Sequence, residues 1–200
     1  MHDHHQKFFD QLAAEWDLMF TSEDLERLSH LVAAMPVTPG MEILDLGCGT
    51  GIMFDILRRR VGDSGSVTGV DFSIEMAEKA HRNFPFDNVN VVDADVIFLP
   101  FKESAFDMGV AFSSFPHFSN QQKALDEAHR VLKPGAKLYV IHLLSSKELA
   151  AVHHRVGGAV EHDELPTVEK MRQMFQQSRF TDIQVDDQTG LYMATGTNAK

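Results

Sequence analysis

The run Ile43-Leu44-Asp45-Leu46-Gly47-Cys48-Gly49-Thr50-Gly51 constrains the fold more than any other part of the chain. Its first half reads as a buried strand that contains an acid. Its second half puts glycine at every other position. A helix is predicted directly after it, over 52–60. Glycine has no Cβ, so such a turn lets backbone N–H groups approach a ligand at a helix start. A nucleotide-like molecule is therefore expected at the carboxyl end of this strand.

Strand and helix patterns then alternate. Strands are predicted over 41–46, 66–70, 89–92, 106–112 and 136–143, with helices over 52–60, 73–83 and 121–132 between them. Ser73 caps the helix it opens, and Pro134-Gly135 ends the helix before it. A later helix covers 167–178 with Thr167 as its cap. Lys170 stands third after that cap, so no capping box forms. Strands over 183–187 and 191–195 make a hairpin through Thr189-Gly190. Two helices precede the first strand. One, over 8–19, has apolar residues at 8, 9, 12, 13, 16 and 19; the other, over 22–35, stops before Pro36.

This order predicts the α/β class: a Rossmann-like, doubly wound sheet of about seven mostly parallel strands with an antiparallel edge hairpin. One domain is expected, with residues 1–38 as a helical lid and 39–200 as the core. Right-handed crossovers put the first strand near the centre and the ligand at the sheet's carboxyl edge.

Composition narrows the partners. A formal charge of −11 over 200 residues disfavours a phosphate-backbone partner. The short basic cluster Arg58-Arg59-Arg60 reads as the solvated end of a helix. Cys48 stands alone, which rules out an internal disulfide and any multi-cysteine metal site. There is no apolar run of membrane-spanning length and no secretory-type N-terminus, so a cytoplasmic monomer or homodimer is the expectation. His2, His4 and His5 read as a disordered tail.

The nicotinamide fingerprint needs a third glycine at position 52, where Ile52 stands, and no Gly-Lys-Ser/Thr of a phosphate loop follows. Asp45 before the turn and Asp71, 20 residues beyond Gly51, instead suit a ligand with ribosyl and cationic ends.

At this point the residues resemble a family. Glu42 to Gly51 is similar to the first motif of class I S-adenosylmethionine-dependent methyltransferases, and Asp71-Phe72-Ser73-Ile74-Glu75-Met76 to their second. Asp95 to Phe101 with Phe106-Asp107, and Arg130 to Gly135, resemble the later motifs. The resemblance spans about residues 40–145 and points to the small-molecule type related to quinone-methylating enzymes. It implies that Gly47, Cys48, Gly49 and Gly51 cradle the methionine portion of S-adenosyl-L-methionine, with Asp45 near its amino group. Asp71 would hold the ribose, Phe72 and Met76 flank the adenine, and Asp95 with Val96 bond its edge. Phe112, at the end of strand four, joins the cofactor set. Core packing remains open for Phe72 and Met76, and capping of the turn for Asp45. Cys48 reads as a small loop residue, not a nucleophile.

Methyl transfer from a sulfonium is a displacement that depends on alignment, with a base where the acceptor must lose a proton. Histidines gather near the expected edge: His117 after strand four, His142 at the end of strand five, and His153 and His154 beyond it. Three readings stay open. His117, His142 and His154 form a divalent-metal site with Asp163 or His153 as outer partner; or one is a general base; or they are unrelated. The Asn/Asp-Pro-Pro-aromatic motif of nucleic-acid amino methylation is absent after strand four, where Phe112-Ser113-Ser114-Phe115 stands. One cysteine is too few for an arsenite methyltransferase. The aromatic stripe from Phe8 to Trp16 resembles a lid helix, with plain packing as the other reading. A small-molecule acceptor is thus expected, set against a non-catalytic cofactor, metal or haem sensor on the same fold.

Overall fold

The computed structural model describes residues 2–200, with side chains from His4 onward. Seven strands form one sheet: β1 (Glu42–Leu46), β2 (Ser66–Asp71), β3 (Val89–Asp93), β4 (Phe106–Phe112), β5 (Leu132–His142), β6 (Phe180–Gln188) and β7 (Leu191–Asn198). Their spatial order is β3-β2-β1-β4-β5-β7-β6. Only β7 runs against its neighbours, so the reversed strand lies one in from the edge, between β5 and β6. The helices are α1 (His2–Leu12), α2 (Ser22–Ala34), α3 (Phe54–Val61), α4 (Ile74–Asn83), α5 (Gln121–Val131), α6 (Ser146–Val156) and α7 (Val168–Gln177).

The central strands are apolar because both of their faces are covered. Successive side chains point to opposite faces. Leu44, Val70, Ala111 and Val140 face one core with α5 and α7, while Ile43, Val67, Val110 and Ile141 face the other with α2 and α3. The chain reverses its winding between β1 and β4, which pair directly through Ile43–Met108 and Asp45–Val110. Crossovers leave that point on opposite sides, so a crevice opens at the carboxyl ends of the two strands.

Expected caps are present. Ser73 Oγ accepts from Met76 N, and Thr167 caps α7 from Lys170 N without a capping box. Two departures matter for the site. The predicted helix over 8–19 breaks after Leu12, and a separate 3-10 turn covers Trp16–Met19. The cause is tertiary: Lys79 Nζ donates to the carbonyls of Ala13 and Ala14, at 2.8 and 3.1 Å, and pairs with Asp17. Conversely, α1 extends back through His4 and His5, which replaces the expected tail; the side chain of His2 lies outside the described ones. The segment after β5 forms α6, opened by a capping box of Ser145 and Glu148 that the sequence reading did not use.

Close packing under the glycine-rich turn depends on Gly69 in β2. A Cβ there would lie 2.4 Å from Phe54 Cζ and 2.7 Å from Cys48 Sγ. Gly69→Ala is expected to lower unfolding free energy by about 1–3 kcal/mol through overpacking. Urea denaturation checks this, and a change within about 0.5 kcal/mol would show the contact to be soft.

Candidate functional site

The turn after β1 folds against the end of β2. Gly47 N and Cys48 N both donate to Val70 O, at 2.8 and 3.0 Å. Gly47 has φ +70°, and a Cβ on it would lie 2.6 Å from Ser114 Cβ, so only glycine lets the turn pass this wall. Ser114 in turn donates from Oγ to Leu46 O.

Asp71 secures the other side. Its carboxylate accepts Gly49 N at 2.8 Å and Ser73 N at 2.9 Å, which joins the turn to the start of α4. Burial pushes its pKa up to about 6, although those backbone bonds pull the other way. Asp45 is more exposed to this conflict. It is 1% accessible, and neither carboxylate oxygen has a hydrogen-bond partner among the described residues. Burial, reinforced by the charge of Asp71, lifts it to about 8. Burial together with both acids keeps the Cys48 thiol protonated.

These groups line a cavity beside Asp95, Val96, Phe72, Met76 and Phe112. Its roof comes from the N-terminal segment. Phe9 sits edge-on to Trp16, Phe72 and His117, and Phe20 lies against Phe112.

A second cavity of about 460 Å³ adjoins the first. The two share Phe9, Trp16, Phe20, Ser113 and His117. Its remaining wall is largely apolar, with Phe8, Leu12, Leu143, Leu149, Val152 and Val160, and Asp24 is the one carboxylate on it among the described residues. Size and lining suit a small apolar molecule with a few polar groups.

His117 stands where the cavities meet. Its Nδ1 lies 2.7 Å from Asp163 Oδ2. A carboxylate only accepts, so Nδ1 carries the proton and Nε2 keeps a lone pair. His5 Nε2 donates to the same carboxylate, at 2.9 and 3.1 Å, and His153 Nδ1 donates to the main-chain oxygen of Asp163 at 2.6 Å. Burial holds His117 below the ordinary histidine range, with Asp163 acting against it. For Asp163, burial raises the pKa, but the bonds from His117 and His5 prevail and hold it low. His142 is 3% accessible, has no partner at Nε2 among the described residues, and is driven down to about 3 by burial and by His117 and His153.

Residues 44–140 match the protein family described as Methyltransferase domain. A demethylmenaquinone methyltransferase of Staphylococcus aureus is 30% identical over 179 residues, covering 78% of this chain and 74% of that protein. The chain belongs to the class I S-adenosylmethionine-dependent methyltransferases. A 2-phytyl-1,4-naphtoquinone methyltransferase of Nostoc sp. is 40% identical over 107 residues, 52% of this chain and 47% of that one. The chain thus spans about half the length of the quinone-methylating relatives that lead the comparison. Among solved structures, a SAM dependent methyltransferase from Aquifex aeolicus aligns at TM-score 0.68 and 21% identity, over 90% of this chain and 100% of that one. A chain of the complex containing the Haloferax volcanii Trm112 methyltransferase activator aligns at TM-score 0.81 and 20% identity, over 96% and 98%. Both likenesses are of fold.

In this methyltransferase, every residue expected around the cofactor lines the first cavity except Gly51. Gly51, at φ +89°, shapes the turn against Phe54 and Phe84. Asp45 makes no turn-capping bond among the described residues. Phe72 and Met76 line the cavity and also pack under α1 with Phe9 and Val160. The metal site is not assembled. His154 points away on α6, 81% exposed and 3.7 Å from Glu161, while His117 is committed to Asp163. No group of three or more His, Cys, Asp or Glu is arranged to hold a metal among the described residues. No helix among them is long and apolar enough to cross a membrane. Sequence reasoning missed His5 and took His154 where His153 turns inward. The stripe Leu149, Val152, Val156 marks the inner face of α6 and includes position 153, which was the available signal.

A carboxyl whose folded-state pKa is raised keeps its proton when folded, so stability is lost as pH climbs from the unfolded value toward the folded one. For Asp45 that window runs from 3.8 to about 8. Asp45→Asn is expected to exceed the wild type in stability by about a few kcal/mol near pH 8 and by less near pH 5. Urea titrations at both pH values, without added cofactor, test this. An unchanged difference would mean that Asp45 ionises freely.

Proposed function

We propose that this protein transfers a methyl group from S-adenosyl-L-methionine to a small apolar acceptor bearing an acidic hydroxyl, such as a reduced quinone. One observation carries the reading. A cavity lined by backbone amides and buried acids meets a largely apolar cavity at a single imidazole, His117, backed by a carboxylate.

The residues of the first cavity fit the methyl donor. Asp45 is a buried carboxylate with no bonds of its own, which suits an ammonium group. A Cβ on Gly47 would strike Ser114, so only glycine lets the backbone of the turn lie along this cavity. Asp71, Asp95 and Val96 supply acceptors and an apolar edge for the ribose and adenine. The donor, when bound, supplies an electrophilic methyl on a sulfonium.

The rest is done by the chain. Phe9, Trp16 and Phe20 roof both cavities, and the N-terminal helical segment acts as a lid that excludes water. The apolar wall orients the acceptor so that its reactive atom faces the donor side. His117 Nε2 takes the hydroxyl proton, which makes that oxygen and the adjacent ring carbon stronger nucleophiles. Burial keeps His117 neutral near pH 7, so it is ready to accept the proton, and Asp163 then stabilises the imidazolium. The quinone-methylating relatives support the acceptor class. Metal assistance has no support in the donor set.

The test uses a reduced, short-chain prenyl-1,4-naphthoquinone as acceptor and mass spectrometry of the product. Wild type is expected to turn over, and His117→Ala to lose about 10²- to 10⁴-fold in kcat. Its affinity for S-adenosylhomocysteine by calorimetry should stay within about threefold, since His117 is not assigned to donor binding. The acid limb of kcat/KM should lie below 6.5, the ordinary histidine value, because burial lowers this one. Tight donor binding without turnover on reduced quinones and phenols would favour the non-catalytic sensor.

A further inference from the structure

Asp163 is held from three directions. His117 and His5 both donate to its carboxylate, and His153 donates to its main-chain oxygen. Two of these partners belong to the wall of the second cavity. The third, His5, comes from α1, which the chain otherwise ties to the donor side. Asp10 on α1 accepts Ser73 Oγ at 2.6 Å and Glu75 N at 3.3 Å, at the start of α4. Lys79 holds the carbonyls just beyond its end.

His5 and Phe9 are four residues apart and share a face of α1. Phe9 places its ring 5.0 Å from the His117 imidazole, edge-on. His5 reaches past it to the carboxylate that orients the same imidazole. The helix thus addresses His117 twice, once at the ring and once through its partner. Both partners of the His5 contact are largely covered, with side chains 15% and 14% accessible.

We propose that His5 is a positioning residue for the base: its Nε2–H holds the Asp163 carboxylate against His117 Nδ1, so that His117 is aligned only while α1 lies over the two cavities. The inference rests on the reading of His117 as base given above. When α1 lifts, Asp163 loses one of its two side-chain donors and is free to turn toward solvent. His117 then loses its fixed tautomer and its counter-charge together. Closure of the lid and readiness of the base become one event, and no proton is drawn from the acceptor while water has access.

The groups facing this cluster are His5 from α1, His117 after β4, His142 from β5, His153 from α6 and Asp163 itself. Full-length protein is compared as wild type, His5→Ala, His5→Gln and His5→Leu. A Gln amide can donate to the carboxylate, whereas Leu fills space only. With the reduced prenyl-naphthoquinone as acceptor, His5→Ala and His5→Leu are expected to lose about 10- to 100-fold in kcat with KM changed far less, and His5→Gln to recover most of the rate. Proton NMR gives a readout free of any acceptor. The downfield Nδ1–H signal of His117, assigned by its loss in His117→Ala and Asp163→Asn, should broaden or vanish in His5→Ala and persist in His5→Gln. A wild-type rate and signal in His5→Ala overturns the proposal, as does Leu rescuing as well as Gln. Full activity in His117→Ala removes the base reading itself. Loss of activity there, beside a wild-type rate in His5→Ala, removes only the role of His5.

Discussion

Two carboxylates buried at the tips of adjacent parallel strands govern the first cavity of this protein. Asp45 and Asp71 sit at the ends of β1 and β2, beside the point between β1 and β4 where the winding of the sheet reverses and a crevice opens. Asp71 meets the cost of burial with backbone N–H bonds, and those from Gly49 and Ser73 hold the glycine turn against α4. Asp45 has none and stays protonated to near pH 8. An acid kept in this state is poised for a cationic ligand, whose arrival would draw off the proton and supply the missing partner. The same geometry explains the glycines. Gly47 and Gly69 let the turn lie close enough to Ser114, Phe54 and Cys48 for the acids to be covered at all.

The acceptor side obeys a different constraint. Its wall is apolar, so the few polar groups on it must satisfy one another. His117, His5 and His153 do so by converging on the single residue Asp163. That convergence fixes a tautomer and leaves no set of donors for a metal ion among the described residues, while burial first, and then His117 and His153, disfavour a charge on His142. The N-terminal helix spans both sides. It meets α4 through Asp10, with Lys79 holding the carbonyls just beyond its end, and the histidine cluster through His5 and Phe9, so one segment borders both cavities.

The chain was legible where function is written in consecutive residues. The turn from Asp45 to Gly51 and the acid 20 residues beyond it are local signals, because strand, turn and helix start lie next to one another in sequence and in space. The central place of β1 followed from alternation of patterns and the handedness of crossovers, whereas the insertion of β7 between β5 and β6 did not. The N-terminal stripe was read as one helix because its periodicity is unbroken. Its break after Leu12 is imposed by Lys79, 66 residues from Ala13, which draws off two carbonyls that the helix would have used. His5 was read as tail for the same reason: its partner Asp163 is 158 residues away.

The sequence by itself determined the class of fold and the glycine-rich turn with its flanking acids, since each depends on residues that backbone geometry brings together locally. The second cavity was decided by tertiary structure. Its polar centre draws on positions 5, 117, 142, 153 and 163, which come from separate elements. Along α6, one residue turns a side chain by about 100°. That single step separates His153, packed against His117, from His154 in solvent, and only the docked helix selects between them.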